Sequence, residues 1–261
     1  MISQVKILFL NMLKLLFFYK FERINNMSNT YFQFKQFTIH QANTSMKVGT
    51  DGVLLGAWAD VLNKKNVLDV GTGTGLIALM VAQRNPNAFV SAVEIERDAY
   101  IQAKENILQS AFKHQIELLH TSFQDYKSTS KYDLIVCNPP FFKPTYLSGN
   151  ESRDVARQRI NFEMTDFFEF TFNATSKEGE VAIVYPFEQL NYVAEIAVSK
   201  GFLIKRQCLV KGSRNKPFKR ILLQFSKQEK NVESSELCIE NERHQYTNEF
   251  VELVKDFYLN L

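Results

Sequence analysis

The sequence predicts an α/β fold, a doubly wound and mostly parallel sheet of seven strands that ends in an antiparallel hairpin. From residue 66 onward, short apolar runs rich in β-branched residues alternate with segments of helical periodicity. Residues 211–219 join the last two runs without a helix, which favours an antiparallel pair. No internal repeat and no long linker divides this region.

Each element follows from the same patterns. The predicted strands are residues 66–70, 89–95, 116–120, 132–138, 180–186, 203–210 and 220–226. The predicted helices are residues 75–84, 96–110, 165–175 and 187–200. In segment 96–110, acidic residues come first and Ile101, Ala103, Ile107 and Leu108 recur near helical spacing. Alternation of this kind implies right-handed crossovers between parallel strands.

Composition excludes several classes of protein. With 45% hydrophobic and 23% charged residues the chain can bury a core, which excludes a disordered protein. The three cysteines (Cys137, Cys208 and Cys238) are odd in number and lack C-x-x-C spacing. They therefore indicate neither a disulfide framework nor a zinc site. We expect no metal and a reducing, cytoplasmic location.

The N-terminal segment differs from the rest of the chain. Residues 7–19 are apolar apart from Asn11 and Lys14, but a membrane span needs ~20 apolar residues. No A-x-A-like cleavage site follows, so a signal peptide is disfavoured. We expect residues 1–26 to be an extension without function, with an amphipathic surface helix or a targeting segment as the alternatives. Residues 27–261 are then expected to form one domain, a monomer that does not associate with membranes.

The net charge of +3 hides an uneven distribution. The first 26 residues carry all of it, and the rest of the chain is neutral. Within the neutral part, residues 200–220 hold eight basic residues and no acid. These are Lys200, Lys205, Arg206, Lys211, Arg214, Lys216, Lys219 and Arg220. Such a segment predicts a surface that follows phosphates, although alternate strand residues could equally be solvated charges.

A glycine-rich turn follows the first predicted strand. Residues 69–75 read D-V-G-T-G-T-G and lead directly into an apolar helix. Alternate glycines let the backbone turn sharply and let a ligand approach closely. The spacing differs from the dinucleotide fingerprint and from the P-loop. Glu94 ends the next strand, where its two oxygens suit the two hydroxyls of a ribose. The structural alternative is an ordinary tight turn with a threonine cap.

The fourth predicted strand ends in a second motif, N-P-P-F-F at residues 138–142. Ligands bind at the carboxyl ends of strands in such sheets, and this end lies beside the glycine turn. Asn138 offers a side-chain carbonyl, Pro139 offers a backbone carbonyl, and Pro140 helps to fix the turn. Two acceptors can hold both hydrogens of a planar amine. Phe141 or Phe142 can stack on a base.

Together these motifs resemble the class I S-adenosylmethionine-dependent methyltransferases that methylate an exocyclic or amide nitrogen. F-Q-F-K-Q-F at residues 32–37 and S-M-K-V-G-T-D-G-V-L-L-G-A-W-A at residues 45–59 are similar to a narrower family. That family is the bacterial tRNA1(Val) (adenine37-N6)-methyltransferases. The resemblance extends over about residues 31–261, including a tail from Tyr246 to Leu259. Two departures are Phe141-Phe142, where the family has tyrosines, and Gln158, where it has histidine or tyrosine.

The resemblance implies S-adenosylmethionine as cofactor, a tRNA as partner and transfer of a methyl group to N6 of adenine 37. The implied catalytic residues are Asn138, Pro139, Pro140 and Phe141. The implied cofactor-binding residues are Lys47, Thr50, Asp51, Asp69, Gly71, Gly73, Gly75, Glu94 and Asp125. Asp69 would engage the methionine amine, directly or through water, and Asp125 the adenine amine. The residues expected to contact nucleic acid are Phe142, Arg153, Arg157, Lys211, Arg214, Lys216, Lys219 and Arg220.

Several alternatives stay open from the sequence. Asp51 could be a helix N-cap, and Asp125 could be a solvated loop acid. The chain could be a protein glutamine N5-methyltransferase, or another adenine-N6 methyltransferase of RNA or DNA, because an amide and an exocyclic amine present similar NH2 groups. A nucleic-acid-binding module without catalysis is a third hypothesis, which the complete set of site residues disfavours.

Overall fold

A nine-stranded sheet forms the centre of the fold in a computed structural model of the chain. The structure describes residues 30–42, 44, 47–128, 130–140, 162–229, 231–243 and 245–261. The order of strands across the sheet is β11-β10-β8-β9-β7-β6-β3-β4-β5. Its strands are β3 (Asn66–Val70), β4 (Phe89–Glu94), β5 (Ile116–His120), β6 (Tyr132–Cys137), β7 (Thr175–Pro186), β8 (Leu203–Ser213), β9 (Arg220–Ser226), β10 (Glu233–Glu242) and β11 (Gln245–Tyr246).

Helices and a small hairpin complete the described elements. The hairpin pairs β1 (Tyr31–Gln33) with β2 (Thr38–His40). The helices are α1 (Thr50–Trp58), α2 (Leu76–Arg84), α3 (Arg97–Gln109), α4 (Met164–Ala174), α5 (Leu190–Ser199) and α6 (Asn248–Val254), with a 3-10 turn at Phe187–Gln189. No helix in these described segments is long and apolar enough to cross a membrane.

The predicted fold class is confirmed. Strands β3 to β7 run parallel, while β9 is antiparallel to both β7 and β8. All seven predicted strands and all four predicted helices are present, with shifts at their ends. The predicted number of strands was wrong, because β10 adds in parallel to β8 and β11 pairs with β10. Strand β10 (E-S-S-E-L-C-I-E-N-E) is largely polar and lies near the edge, so it shows no apolar run.

Each face of the sheet packs against its own hydrophobic core. Alternate residues of a strand point to opposite faces, so neighbours on one strand enter different cores. On β6, Leu134 and Val136 face the core formed with α1, α2 and α6, while Ile135 and Cys137 face the core formed with α4 and α5. Helices on both faces of a parallel sheet leave its carboxyl edge open for a site.

The hairpin β1–β2 packs against the C-terminal tail. Phe34 is buried, stacks on Tyr258 with ring centroids 5.9 Å apart and forms an isolated bridge with it. The Lys35 amide donates to the Phe257 carbonyl at 2.8 Å. The phenylalanines of residues 32–37 and the aromatic tail therefore have a structural role, because they join the two ends of the described chain.

A buried ionic network connects the loop after α1 to strands β7, β8 and β9. Glu180 is 3% exposed and lies 2.9 Å from Lys205 Nζ and 3.3 Å from Lys64 Nζ. Gln224, fully buried, donates to the same carboxylate and accepts from the Asp60 amide at 3.1 Å. Burial raises the pKa of Glu180, but the two lysines and Gln224 outweigh it and lower that pKa overall.

We expect Glu180→Ala to lower the free energy of unfolding by about 3–5 kcal/mol, because it leaves two half-enclosed lysines without their shared counterion. Urea denaturation measures this loss. The matched control is Glu178→Ala on the same strand. Within the described structure its exposed carboxylate accepts from Gln228 alone, and the expected change is about 0.5 kcal/mol or less. Equal denaturation midpoints for the two variants would contradict the prediction.

Candidate active site

The carboxyl ends of β3, β4, β5 and β6 meet around one pocket with a volume of about 330 Å³. Its lining brings together the two motifs singled out in the sequence, the glycine turn and the strand tip at Asn138. The lining residues are Thr44, Val70, Gly71, Gly73, Val93, Glu94, Ile95, Glu96, Ala99, Thr121, Ser122, Phe123, Gln124, Asp125, Cys137, Asn138, Pro139, Pro140 and Phe162.

The glycine turn takes a left-handed path that side chains disfavour. Gly71, Gly73 and Gly75 have φ of +67°, +60° and +85°. No atom lies within 4 Å of a Cβ built on Gly71 or Gly73, so these positions need glycine for their backbone conformation and not for lack of space. The open space beside both residues belongs to the pocket, and it lets a ligand approach the backbone closely.

Glu94 holds this turn from the neighbouring strand. Its Oε2 accepts from the Gly73 amide at 2.8 Å, and its Oε1 accepts from the Glu96 amide at 2.8 Å. The carboxylate is 7% exposed and lines the pocket. Burial raises the pKa of Glu94, and the two amide donors oppose that rise. Each oxygen still has a lone pair for a further donor, which fits the predicted bond to ribose hydroxyls.

Asp69, near the end of β3, accepts hydrogen bonds from the glycine turn and from the helix that follows it. Its Oδ2 accepts from Thr72 Oγ1 at 2.6 Å and from the Ala78 amide at 3.1 Å, which ties β3 to the first turn of α2. The side chain is fully buried, and its Oδ1 has no hydrogen-bond partner in the described structure. Asp69 does not line the pocket, so its predicted contact with a methionine amine stays a prediction.

The environment of Asp69 favours its neutral form. Burial raises the pKa of Asp69 to about 7; the bonds from Thr72 and Ala78 lower it, and the charge of Glu94 raises it further. Burial also raises the pKa of the neighbouring Cys137 thiol, helped by the same two carboxylates. The thiol is therefore neutral and does not act as a nucleophile.

The rim beyond β5 supplies a polar and an aromatic wall. Asp125 is exposed, accepts from Ser122 Oγ at 2.7 Å and lines the pocket. Phe123 is buried and lies 5.1 Å from Phe162, ring centroid to ring centroid, and both line the pocket. Asp125 therefore lies at the pocket and not in a freely solvated loop, which is compatible with its predicted role in cofactor binding.

The strand tip lies beside the glycine turn, because β6 pairs with β3 in parallel. Asn138, Pro139 and Pro140 line the pocket, and the Asn138 carboxamide makes no hydrogen bond within the described residues. A Cβ on Gly52 in α1 would lie 3.9 Å from Asn138 Nδ2, so the first turn of α1 passes close to this tip. Phe141 and Phe142, together with Arg153, Arg157 and Gln158, lie outside the described residues.

The segment that holds Lys47, Thr50 and Asp51, which were predicted to bind the cofactor, makes contacts outside the pocket. Helix α1 has Gly49 at its N-cap, so the N-cap role considered for Asp51 was wrong. Asp51 Oδ2 instead lies 2.8 Å from Arg220 Nε. Neither Lys47, Thr50 nor Asp51 lines the pocket, whereas Thr44 does. Cofactor contacts by Lys47, Thr50 and Asp51 stay predictions.

Acids from distant segments neutralise much of the basic segment. Lys200 pairs with Glu169, Lys205 with Glu180 and Asp60, Arg206 with Glu233, Lys211 with Glu236, and Arg220 with Asp51. Arg214 donates to Asn241 at 2.8 Å. Of the eight basic residues in this segment, Lys216 and Lys219 make no side-chain hydrogen bond or ion pair within the described structure. The other six basic residues of the predicted phosphate-binding surface therefore have partners within the protein, and contact of this segment with nucleic acid stays a prediction.

Sequence reasoning missed part of the pocket wall. Thr44, Ser122 and Phe162 had no local motif to mark them. Ser122 lies two residues after the end of β5, so the rule that ligands bind at the carboxyl ends of strands could have found it. No cluster of three or more possible metal ligands occurs within the described part of the chain.

Comparisons with known proteins agree with the fold. A predicted O-methyltransferase, protein Atu636 from Agrobacterium tumefaciens, superposes with a TM-score of 0.60 at 16% identity, over 81% of this chain and 100% of that one. Residues 44–185 match the model of the methyltransferase small domain. With a glycine turn, a following acid and N-P-P around one pocket, the chain is a class I methyltransferase.

Two curated relatives identify the family. The tRNA1(Val) (adenine(37)-N6)-methyltransferase of Christiangramia forsetii is 42% identical over 90% of this chain and 100% of its own length. The protein of the same name from Parabacteroides distasonis is also 42% identical, over 90% of this chain and 100% of its own length. The chain belongs to the tRNA1(Val) (adenine(37)-N6)-methyltransferase family.

We expect the stability of Asp69→Asn relative to the wild-type protein to increase as the pH rises from 4 to 7. Because the folded-state pKa of Asp69 is raised to about 7 from 3.8, its contribution to stability is present at low pH and is lost as the pH rises to 7. Asparagine does not titrate and can still accept from Thr72 and Ala78. Thermal unfolding measured at several pH values checks this.

The control for this prediction is Asp125→Asn. This acid lines the same pocket but is exposed, so its replacement should change stability little at any pH between 4 and 7. A stability difference for Asp69→Asn that is flat across pH 4–7 would contradict a raised pKa for Asp69.

Proposed function

We propose that this chain transfers the methyl group of S-adenosylmethionine to N6 of adenine 37 in the anticodon loop of tRNA1(Val). The observation that carries the proposal is one pocket lined both by the glycine turn with Glu94 and by the Asn138-Pro139-Pro140 tip. The first part suits a nucleoside cofactor, and the second suits a planar amine. The family relationship supplies the substrate, because both relatives described above are named for this reaction.

The residues present fit S-adenosylmethionine. A ligand can approach the backbone at Gly71 and Gly73, where a Cβ would meet nothing within 4 Å. Glu94 would hold the ribose hydroxyls, and Asp125 would accept from the adenine amine. Asp69 Oδ1, buried and without a partner, retains acceptor capacity for an ammonium group. Bound in this pocket, the cofactor supplies an electrophilic methyl group on a sulfonium.

The chain's own contribution to the reaction is orientation and electrostatics. The adenine amine is a weak nucleophile because its lone pair is delocalised into the ring. Asn138 Oδ1 and the Pro139 carbonyl accept the two amine hydrogens, which localises the lone pair on N6 and aims it into the pocket. Pro140 has no amide hydrogen and therefore cannot compete as a donor. The surplus proton on N6 leaves to water after the transfer.

The target base must leave its stack before it can reach Asn138. Position 37 lies in a single-stranded loop, where an unstacked base can be turned out into a protein pocket. Phe141 or Phe142 would give that base a stacking face. As part of the proposal, the enzyme works as a monomer in the cytoplasm, and neither a metal nor a membrane takes part.

Among the described residues, the β8–β9 turn is the part best suited to bind the tRNA backbone. Strand β8 ends and β9 begins at the same edge of the sheet as Asn138, because Pro186 at the end of β7 pairs with Arg220. Lys216 and Lys219 lie in this turn and are exposed. Arg214 would contribute beside them, while Arg220 is already paired with Asp51.

The alternatives that the sequence left open have less support. Glutamine N5 methylation would use the same tip, but the relatives support adenine N6 of a tRNA. Transfer of labelled methyl to total tRNA from a strain that lacks the protein, followed by nucleoside mass spectrometry, separates them. Label in N6-methyladenosine of one tRNA supports the proposal, whereas label in protein would overturn it.

We expect Asn138→Ala to lower the rate of methyl transfer on the order of 100-fold or more, because it removes one of the two acceptors that orient the amine. Cofactor affinity, measured by calorimetry, should stay within about twofold because the glycine turn and Glu94 are untouched. Asn138→Asp is the matched variant, since it keeps an acceptor oxygen and should retain more activity than Asn138→Ala. Wild-type turnover by Asn138→Ala would exclude this role.

We expect Lys216→Glu and Lys219→Glu to weaken tRNA binding and leave cofactor affinity unchanged. Each lost phosphate contact should reduce the slope of log K against log salt by roughly 0.7–0.9. Lys113→Glu is the control, because this exposed lysine precedes β5 and so lies toward the opposite edge of the sheet. If Lys113→Glu weakens binding as much as the two turn variants, the turn is not the binding surface.

A further inference from the structure

One buried carboxamide outside the predicted site makes hydrogen bonds both to the glycine turn and to the end of β2. Asn106, on α3, is 1% exposed. Its Oδ1 accepts from the His40 amide at 2.9 Å, and its Nδ2 donates to the His40 carbonyl at 2.9 Å. The second hydrogen of Nδ2 reaches the Thr74 carbonyl at 2.9 Å. Asn106 therefore pairs with the end of β2 as a neighbouring strand would, and also holds the glycine turn.

The bond to Thr74 completes the support of the glycine turn. The amides of Gly71 and Thr72 donate to the Val93 carbonyl at 3.0 and 3.1 Å. The Gly73 amide donates to Glu94, and the Gly75 amide donates to the Thr72 carbonyl at 2.9 Å. The carbonyl of Thr74 lies between these amides in sequence and is held only by Asn106 among the described contacts. It orients the peptide that leads into α2.

The bonds to His40 fix the end of β2, which leads into the part of the pocket wall that contains Thr44. His40 ends β2, and the next residue, Gln41, is 4% exposed and accepts from the Val48 amide at 2.7 Å through its Oε1. Thr44 lies between Gln41 and Val48 and lines the pocket. The position of this wall, and of the start of α1 just after it, therefore depends on where β2 is fixed.

We infer that Asn106 is a positioning residue that sets cofactor affinity by locking the glycine turn and the Thr44 wall to one another. Only a carboxamide meets the requirement, since the position needs one acceptor and two donors from a short side chain. Aspartate has the same shape but would turn an acceptor toward two carbonyl oxygens. Those buried carbonyls would then lose their donor, which is the costly way to break such a network.

The inference rests on the proposed function for the identity of the cofactor, and its test is binding without tRNA. We expect Asn106→Asp to weaken S-adenosylmethionine binding at least tenfold by calorimetry. In kinetics, KM for the cofactor should rise and KM for tRNA should stay near that of the wild type. Hydrogen exchange at the His40 amide and in the turn at residues 71–75 should accelerate.

The matched control is Gln102→Glu, the same amide-to-carboxylate change about one turn earlier on α3. Gln102 is 3% exposed and donates to Glu105, so the change introduces a like-charge contact but leaves the glycine turn alone. We expect Gln102→Glu to lower thermal stability and to bind the cofactor like wild type. If both variants lose affinity equally, Asn106 acts only through stability and the inference is wrong.

Asn106→Ser provides the decisive comparison if the aspartate variant does not fold. Serine is smaller and leaves room for water to reach the Thr74 carbonyl, so a folded protein with weakened cofactor binding is expected. Affinity within twofold of wild type for this variant would overturn the inference. Failure of the wild-type protein to bind S-adenosylmethionine would instead overturn the proposed function, so the two failures are distinguishable.

Discussion

The left-handed path of the backbone between Gly71 and Gly75 depends on hydrogen bonds from outside the turn, because no repeating secondary structure satisfies its peptide groups. Val93, Glu94 and Asn106 each hold one part of it, from β4 and α3. The parallel pairing of β3 with β4 brings Val93 and Glu94 to the turn. The pocket therefore exists because two neighbouring strands end together and one helix returns against them.

Burial of Asp69 next to this turn is energetically unfavourable for its ionised form. Asp69 lies fully buried with one oxygen unpartnered, and its pKa is raised to about 7 by burial and by the nearby Glu94. A neutral side chain of the same shape would satisfy Thr72 and Ala78 without that cost. A protein selected for stability alone would not keep a charge here. A cationic ligand group nearby would favour the ionised form, so the acid suits an enzyme whose cofactor carries an ammonium and a sulfonium.

The sequence was informative wherever the chemistry is local. Buried parallel strands read as β-branched runs, and a glycine turn or an N-P-P tip occupies consecutive residues, so both motifs and their common edge could be predicted. Asn106 could not be recognised from the sequence, because its three hydrogen bonds reach His40 and Thr74, which lie 66 and 32 positions away along the chain. The polar strand β10 was missed for a related reason: near an edge, backbone pairing does not require apolar residues.

The basic segment shows that the charge of a protein surface cannot be predicted from one stretch of sequence, because other segments contribute charges to the same surface. Twenty-one residues without an acid predicted a broad phosphate-binding strip, but the fold adds β10 in parallel to β8 and with it Glu233 and Glu236, which face Arg206 and Lys211. Charge along the strands is thereby cancelled, and unpaired charge remains at Lys216 and Lys219 in the turn. That turn lies at the edge where Asn138 ends β6. Under the proposed function, an RNA bound at this turn would lie beside the pocket and not along the sheet, which suits a substrate that presents one turned-out base from a short loop.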